Sequence, residues 1–301
     1  MISSKIGILE LKDDPFIIDV VSRMSGLSVE FLSFGESPIP ICSDYRVVVD
    51  RLSFRFPYLK EVVKNMSLDG TYVLNNPFAA STNNKMVDAK AFQLLGIPAP
   101  KSIVVPGPEP QEELAGVVSL PSWDRVAEEV GFPCFFKPVD GFGWDDVYEI
   151  NTLEELKERH KAVGAGKVWL VQQKIYYVHY YRVFCIGKDV LFIRWIPRPL
   201  GMGEYLYTDL NEISDIKDKL IEQTIRLNAC LDIDINVIEW CVDAKGQPWV
   251  IDAFNEVPDM PKSRMPPDYY WWIVDRFVAC IKDKLNPDKQ NRHTFNPSTV
   301  I

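Results

Sequence analysis

The stretch Gly131-Phe132-Pro133-Cys134-Phe135-Phe136-Lys137-Pro138-Val139-Asp140-Gly141-Phe142-Gly143-Trp144-Asp145-Asp146-Val147 decides how this chain is read. Its apolar run reads as a buried strand that delivers a lysine, and a short glycine-containing loop follows before the next strand. Glycines at 141 and 143 let the backbone approach an anionic group and aim amide hydrogens at it, while Lys137 supplies a point charge. Gly-x-x-x-x-Gly-Lys-[Ser/Thr] is absent, so this is no Walker A loop. On these residues alone, an ordinary hairpin with Lys137 in water fits equally well.

A second, acidic element lies a hundred residues later. Asn236-Val237-Ile238-Glu239-Trp240 and Trp249-Val250-Ile251-Asp252 read as two strands of a hairpin turning at Asp243-Ala244-Lys245-Gly246. Glu239, Asp252 and Asn255 would then bring oxygen ligands together, the donor type that magnesium takes. A carboxylate after Trp-Val-Ile could instead pair with a core arginine or cap a turn.

Outward from these two elements, the first eighty residues alternate short apolar runs with helical stretches: strands at 6–9, 29–32, 46–49 and 71–74, helices around 16–21 and 58–63. That alternation predicts an α/β domain with a parallel sheet. Lys85 to Leu95 is helical and stops at Gly96 before Pro98 and Pro100. Residues 104–122 read as a Pro-rich surface linker. Thr152 with Glu155 makes a capping box for a helix over 151–161. Val183–Ile186 and Val190–Trp195 read as a hairpin, residues 216–231 as an amphipathic helix, and Tyr269–Leu285 as another. Tyr205 and Tyr207 are candidates for a pocket rim, whereas Trp272 and Ile273 belong to a core. Lys262 and Arg264 either meet a substrate carboxylate or are solvated.

Composition bounds the partners. The chain has 301 residues, 47% hydrophobic and 25% charged, which excludes a disordered or low-complexity chain. With 42 Asp and Glu against 33 Lys and Arg, the net charge of −9 offers nothing to a nucleic-acid backbone or an anionic membrane. No apolar run approaches the roughly 20 residues that span a bilayer, and the first eight residues do not read as a signal peptide. The six cysteines are scattered without a Cys-x-x-Cys pair, so free, mostly buried thiols in the cytoplasm are expected.

Taken together the segments resemble the ATP-grasp superfamily. Asn84-Lys85…Leu94-Leu95-Gly96-Ile97-Pro98-Ala99-Pro100 resembles its helix that begins with a nucleotide-binding lysine and ends in a Gly-Ile-Pro-x-Pro turn. Gly131–Pro138 resembles its lid strand with the second lysine. Val171-Gln172-Gln173-Lys174-Ile175 is similar to the hinge that meets the adenine edge, and Val250-Ile251-Asp252-Ala253-Phe254-Asn255-Glu256-Val257-Pro258 to the metal-binding ending. The match covers residues 80 to 260, with the glutathione synthetase, RimK-type and D-alanine–D-alanine ligase group as the nearest likeness. This ending is one residue longer than the usual Glu-x-Asn, and His179 stands where relatives often place a ribose-binding acid.

The resemblance implies an α+β ATP-grasp fold. It would comprise an N-terminal α/β domain over 1–80, a lid over 119–180, and a catalytic domain made of 81–118 with 181–301. It implies ATP and Mg2+ as cofactors. Lys85, Lys137, Gly141, Gly143, Gln172, Gln173, Lys174, Ile175 and His179 would hold the nucleotide, and Glu239, Asp252 and Asn255 the metal. Arg182 or Arg194 would steady an acyl phosphate or the incoming carboxylate. The implied activity joins a small-molecule or peptide carboxylate to an amine through an acyl phosphate, with a homodimer as the default assembly. The alternatives are a small-molecule kinase of the same fold, which the acidic charge disfavours for highly phosphorylated substrates, and a nucleotide-binding regulator without turnover.

Overall fold

The computed structural model describes residues 5–34, 43–80, 84–108, 116–140, 145–164, 166–198, 203–255 and 257–286. Strands β1 (Ile6–Leu9), β2 (Val29–Phe31), β3 (Val47–Asp50) and β4 (Tyr72–Leu74) form a parallel sheet in the order β2-β1-β3-β4. β1 and β4 are buried along their whole length and β3 at its three valines, which is why they are written as unbroken apolar runs instead of alternating ones. Helix α1 (Pro15–Ser22) starts where the Asp14 carboxylate accepts from the Ile17 N–H and Pro15 sets the first turn. Helix α2 (Pro57–Leu68) buries Val62, Val63 and Met66 against Leu9, Val48 and Val73. A short α3 (Pro77–Ala80) precedes α4 (Lys85–Leu95), which begins because Asn84 accepts from the N–H groups of Met86 and Val87. It ends at Gly96, whose φ of 65° is the left-handed conformation that favours glycine.

The second sheet is antiparallel, in the order β5 (Ser102–Pro106), β8 (Val168–Gln173), β6 (Cys134–Pro138), β7 (Tyr148–Ile150). Helices α5 (Trp123–Val130) and α6 (Leu153–Ala162) pack Val126, Val130 and Leu156 onto Val105, Phe136 and Trp169, whose rings stack at 4.6 Å. β5 therefore stands in this sheet, although it precedes the position 119 at which the lid was expected to begin. Thr152 caps α6 by accepting from the Glu155 N–H, while Glu155 reaches back to the N–H of Asn151, one residue short of a reciprocal box.

The third sheet, also antiparallel, runs β11 (Glu204–Leu206), β10 (Asp189–Ile196), β9 (His179–Ile186), β12 (Ile235–Val242), β13 (Pro248–Asp252). Its strands alternate between two cores. Phe184, Val237 and Cys241 join the N-terminal sheet and α8 (Pro267–Lys284), whereas Val183, Ile238 and Trp240 face α4 and α7 (Lys217–Cys230). Cys134, Cys185, Cys241 and Cys280 are buried free thiols and Cys230 an exposed one, while Cys42 lies outside the described residues. Among the described residues no helix is long and apolar enough to cross a membrane.

Candidate active site

A cleft of about 710 Å³ lies between the second and third sheets. Strand alternation selects what it displays from the lid side. Cys134 and Phe136 enter the core under α5 and α6, so Phe135 and Lys137 point the other way, into the cleft. Lys137 Nζ donates to Gln172 Oε1 at 2.8 Å, and Gln172 Nε2 donates to Ser102 Oγ at 3.1 Å. Three neighbouring strands thus fix one ammonium group. Removal from water pushes the Lys137 pKa down to about 8, helped by the nearby Lys85 charge and opposed by Asp252, Glu239 and Asp88.

Lys85 is the first residue of α4. Its N–H donates to Val139 O at 3.0 Å, and its Nζ lies 3.7 Å from Asp252 Oδ2. On the third sheet Glu239 and Asp252 are direct partners across β12 and β13, and the register shifts immediately after that pair. Tyr180 Oη donates to Glu239 Oε2 at 2.6 Å, and Arg182 Nε lies 3.4 Å from Oε1. Burial, then the Glu239 charge, holds the Tyr180 phenol well above its ordinary pKa, so it remains a donor. Asn255 Nδ2 donates to Val237 O at 2.9 Å, which leaves Oδ1 as its acceptor, and the buried Asn236 accepts from the Asn255 N–H while donating to Ala253 O.

This donor set fits a magnesium ion. Among the described residues no three His, Cys, Asp or Glu side chains form a cage. Magnesium does not need one, because it takes one or two carboxylates and completes its octahedron with waters and phosphate oxygens. Glu239, Asp252 and the Asn255 amide oxygen are all oxygen donors, and all three line the cleft.

Of the residues expected to hold nucleotide, Lys85, Lys137, Gln172, Gln173, Lys174 and Ile175 all line the cleft, as does Arg182. Gly141 and Gly143 lie outside the described residues. Two others are not brought in. Arg194 pairs with Glu212 at 2.8 Å, and His179 Nδ1 lies 3.4 Å from the same carboxylate. The reason is parity: Arg182 faces Ile193 across the β9–β10 ladder, whereas Arg194 faces Tyr181, so the two arginines point to opposite faces. His179, two residues before Tyr181, shares that far face. Lys262 and Arg264 are paired with Asp19 at 2.8 Å and Asp259 at 2.6 Å. Tyr205 is buried, and Tyr207 is exposed.

The sequence reading missed Asp88, Ser102 and Trp195, and it offered Tyr180 only as part of an aromatic stretch over Tyr176–Tyr181 that could shape specificity. Asp88 is buried one helical turn beyond Lys85 and accepts from the Ala253 N–H. Burial first, then Asp252, raises its pKa well above the carboxylate range. Its spacing of three from Lys85 was a usable signal, since the two share a helix face.

The depressed Lys137 pKa has a measurable consequence. At pH 8 about half of these side chains carry a proton, and an anion bound there favours the charged form. Nucleotide binding at pH 8 should therefore take up a proton, read by calorimetry in two buffers of different ionisation heat, and Lys137→Arg should show none. In the folded chain alone, the charged Lys137 costs stability below pH 8, and that cost fades as pH rises toward the unfolded value of about 10.4.

No protein-family model and no curated protein sequence matches the chain. Solved structures do. The D-alanine–D-alanine ligase from Bacillus anthracis, solved with ATP, superposes with a TM-score of 0.66 at 13% identity, covering 95% of this chain and 100% of that one. The D-cycloserine synthetase DcsG gives 0.66 at 16% identity, covering 94% and 99%. The ATP-grasp ligase PsnB, solved with a minimal precursor, Mg and ADP, gives 0.64 at 18% identity, covering 92% and 97%. These superpositions run nearly end to end: the chain has the ATP-grasp fold.

Proposed function

We propose that the cleft binds ATP with magnesium and joins a carboxylate to an amine through an acyl phosphate, releasing ADP and phosphate. One observation carries this reading: Lys85 and Lys137, from two separate elements, face the in-register pair Glu239 and Asp252 across one cleft. A pair of cations opposite a pair of carboxylates suits a triphosphate held between ammonium groups and metal. PsnB has been solved with Mg and ADP, and the D-alanine–D-alanine ligase with ATP.

In this reading Lys85 and Lys137 hold phosphate oxygens, and Lys137 leaves Gln172 to do so. Gln173 already donates its N–H to Lys101 O, so contact with the adenine edge falls to Lys174 and Ile175. Bound magnesium supplies charge neutralisation at the phosphate oxygens during transfer. Glu239, Asp252 and Asn255 hold it in place. Arg182, anchored between Glu239 and Tyr205, offers a planar guanidinium to the carboxylate that attacks phosphorus and to the acyl phosphate that results. The lid is the sheet that contains β5, so it extends from 102 to 173 and excludes water while the acyl phosphate waits for the amine. PsnB structures hold precursor peptides, so a peptide side chain is one source of the carboxylate and a free acid the other.

The test is a hydroxylamine trap. The protein is incubated with Mg-ATP, hydroxylamine and pools of free carboxylates and acidic peptides, and hydroxamates are sought by mass spectrometry beside ADP. A hydroxamate with matching ADP supports the reading. ADP without a hydroxamate, in step with a phosphorylated alcohol, would overturn it in favour of a kinase. Lys137→Ala should weaken ATP binding by ~10- to 100-fold, the worth of a charged hydrogen bond, with the melting temperature little changed.

A further inference from the structure

We propose that Trp195 is a positioning residue for the Arg182 guanidinium, and that Gly203 is the residue that makes room for it. The inference rests on the ligase reading, in which Arg182 meets the reacting carboxyl group. Arg182 leaves the central strand of the third sheet and is met on three sides. Its guanidinium carbon lies 4.9 Å from the centre of the Trp195 ring and 5.7 Å from that of Tyr205. Its Nη1 donates to Tyr205 Oη, and its Nε lies 3.4 Å from Glu239 Oε1. Nη2 is the nitrogen left for a substrate oxygen.

The two rings come from neighbouring strands. Trp195 on β10 and Tyr205 on β11 are direct partners in register, and their centroids are 4.4 Å apart. The rings are tilted by 52° to one another and each centre lies within about 6 Å of the guanidinium carbon, an arrangement that attracts a guanidinium through the ring quadrupole. Tyr205 is 4% exposed and Trp195 7%, so neither ring is free to swing aside. Trp195 nevertheless reaches the cleft wall beside Arg182.

Gly203 lies against the indole. A Cβ at this position would lie 2.0 Å from Cζ2, 2.3 Å from Cη2 and 2.6 Å from Cε2 of Trp195. Carbon atoms in contact sit about 3.5 to 4.0 Å apart, so any side chain here would occupy the space of the indole itself. The requirement at 203 is for space. The indole thus fills the space beside the Gly203 backbone, and a side chain at 203 would displace it from its place beside Arg182. A displacement of ~1 Å at a reacting group costs about a hundredfold in rate.

Three variants test this: Gly203→Ala, Trp195→Leu and Trp195→Phe. The first readout needs no chemistry. In a proton–nitrogen spectrum of the full chain, the Arg182 Nε–H, assigned by its loss in Arg182→Lys, should be shifted upfield by the Trp195 ring current. It should move toward the ordinary arginine position in Trp195→Leu and Gly203→Ala. An unshifted wild-type signal, or one unmoved in both variants, would overturn the proposal. The second readout is hydroxamate formation with the carboxylate found by the trap. Trp195→Leu and Gly203→Ala should lower kcat/KM by about a hundredfold, with ATP affinity within about twofold of wild type, because the nucleotide groups are on other strands. Trp195→Phe, which keeps a flat ring, should restore most of the loss. Equal losses in the Leu and Phe variants, or a parallel loss of ATP binding, would make Trp195 a packing residue and sink the idea. Absence of any hydroxamate from wild type, with the ring-current shift present, would instead fail the ligase reading and leave the clamp standing.

Discussion

Asp252→Asn should abolish hydroxamate formation while the protein still binds nucleotide. The substitution keeps size and shape but removes the charge directly across from Glu239. On the ligase reading that charge holds the metal that neutralises the phosphates during transfer, and losing one such electrostatic group costs on the order of 10²- to 10³-fold. Lys85 and Lys137 remain to hold the phosphates. Their state changes, however. Asp252 is one of the charges that pull the Lys137 pKa up against burial, so without it that pKa drops below about 8. Nucleotide affinity of the variant should be near wild type at pH 6.5 and should fall off at a lower pH than wild type. Titration of ATP at several pH values, beside the hydroxamate assay, checks both parts. Full activity would place the metal on other residues.

The largest loss of stability should come from Lys284→Met. Lys284 is 6% exposed and Asp234 is 5% exposed, and Lys284 Nζ lies 2.9 Å from Asp234 Oδ1. Tyr72 Oη donates to Asp234 Oδ2 at 2.6 Å, and the lysine sits 4.9 Å from the Tyr72 ring centre. Three distant segments meet here: the start of β4, the approach to β12 and the end of α8. Asn75, just past β4, completes the joint by accepting from the N–H groups of Asp234 and Ile235. Removing the lysine alone takes away a buried cation 2.9 Å from a buried carboxylate, and breaking such a pair costs about 3–5 kcal/mol. The double variant Lys284→Met/Asp234→Leu should recover much of that, because apolar replacement of a whole buried pair is often neutral. Urea unfolding of the two variants against wild type gives the comparison. Equal midpoints for wild type and Lys284→Met would show that the pair contributes nothing to the joint.

The strands and helices were largely legible because burial writes itself into local pattern. Ile6–Leu9 and Val47–Val49 are apolar without interruption because both their faces are covered, and that alone predicts a parallel sheet. Asn84 and Gly96 mark the ends of α4 in the sequence as clearly as in the structure. What was not legible was mostly a matter of facing. Arg194 looks as good a candidate as Arg182 until the register is known, since one residue of slip exchanges the two faces. The signal was present: the tight turn at Gly187-Lys188 pairs Ile186 with Asp189, and counting back places Arg182 opposite Ile193 and Arg194 opposite Tyr181. The side-chain role of Gln172 had no such signal, because it depends on Ser102, seventy residues earlier, becoming the neighbouring edge strand. The closeness of Trp195 and Gly203 likewise had no local signal, because it depends on β11 pairing with β10 so that Tyr205 stands opposite Trp195.

The pairing at the base of the second sheet bears on engineering. Gln173 N–H donates to Lys101 O at 2.8 Å, and the Lys101 N–H donates to Gln173 Oε1 at 3.3 Å. The chain therefore enters and leaves this sheet through one doorway, and the seventy-odd residues between have their own apolar centre. Such a segment has the form of an inserted cassette. Joining Lys101 to Lys174 by a short turn should leave the two remaining sheets able to fold, and a cassette from another chain could be spliced in at the same two points. Two crossings held side by side by hydrogen bonds should let the segment swing about the line through them and resist twist, as the two pins of a door do.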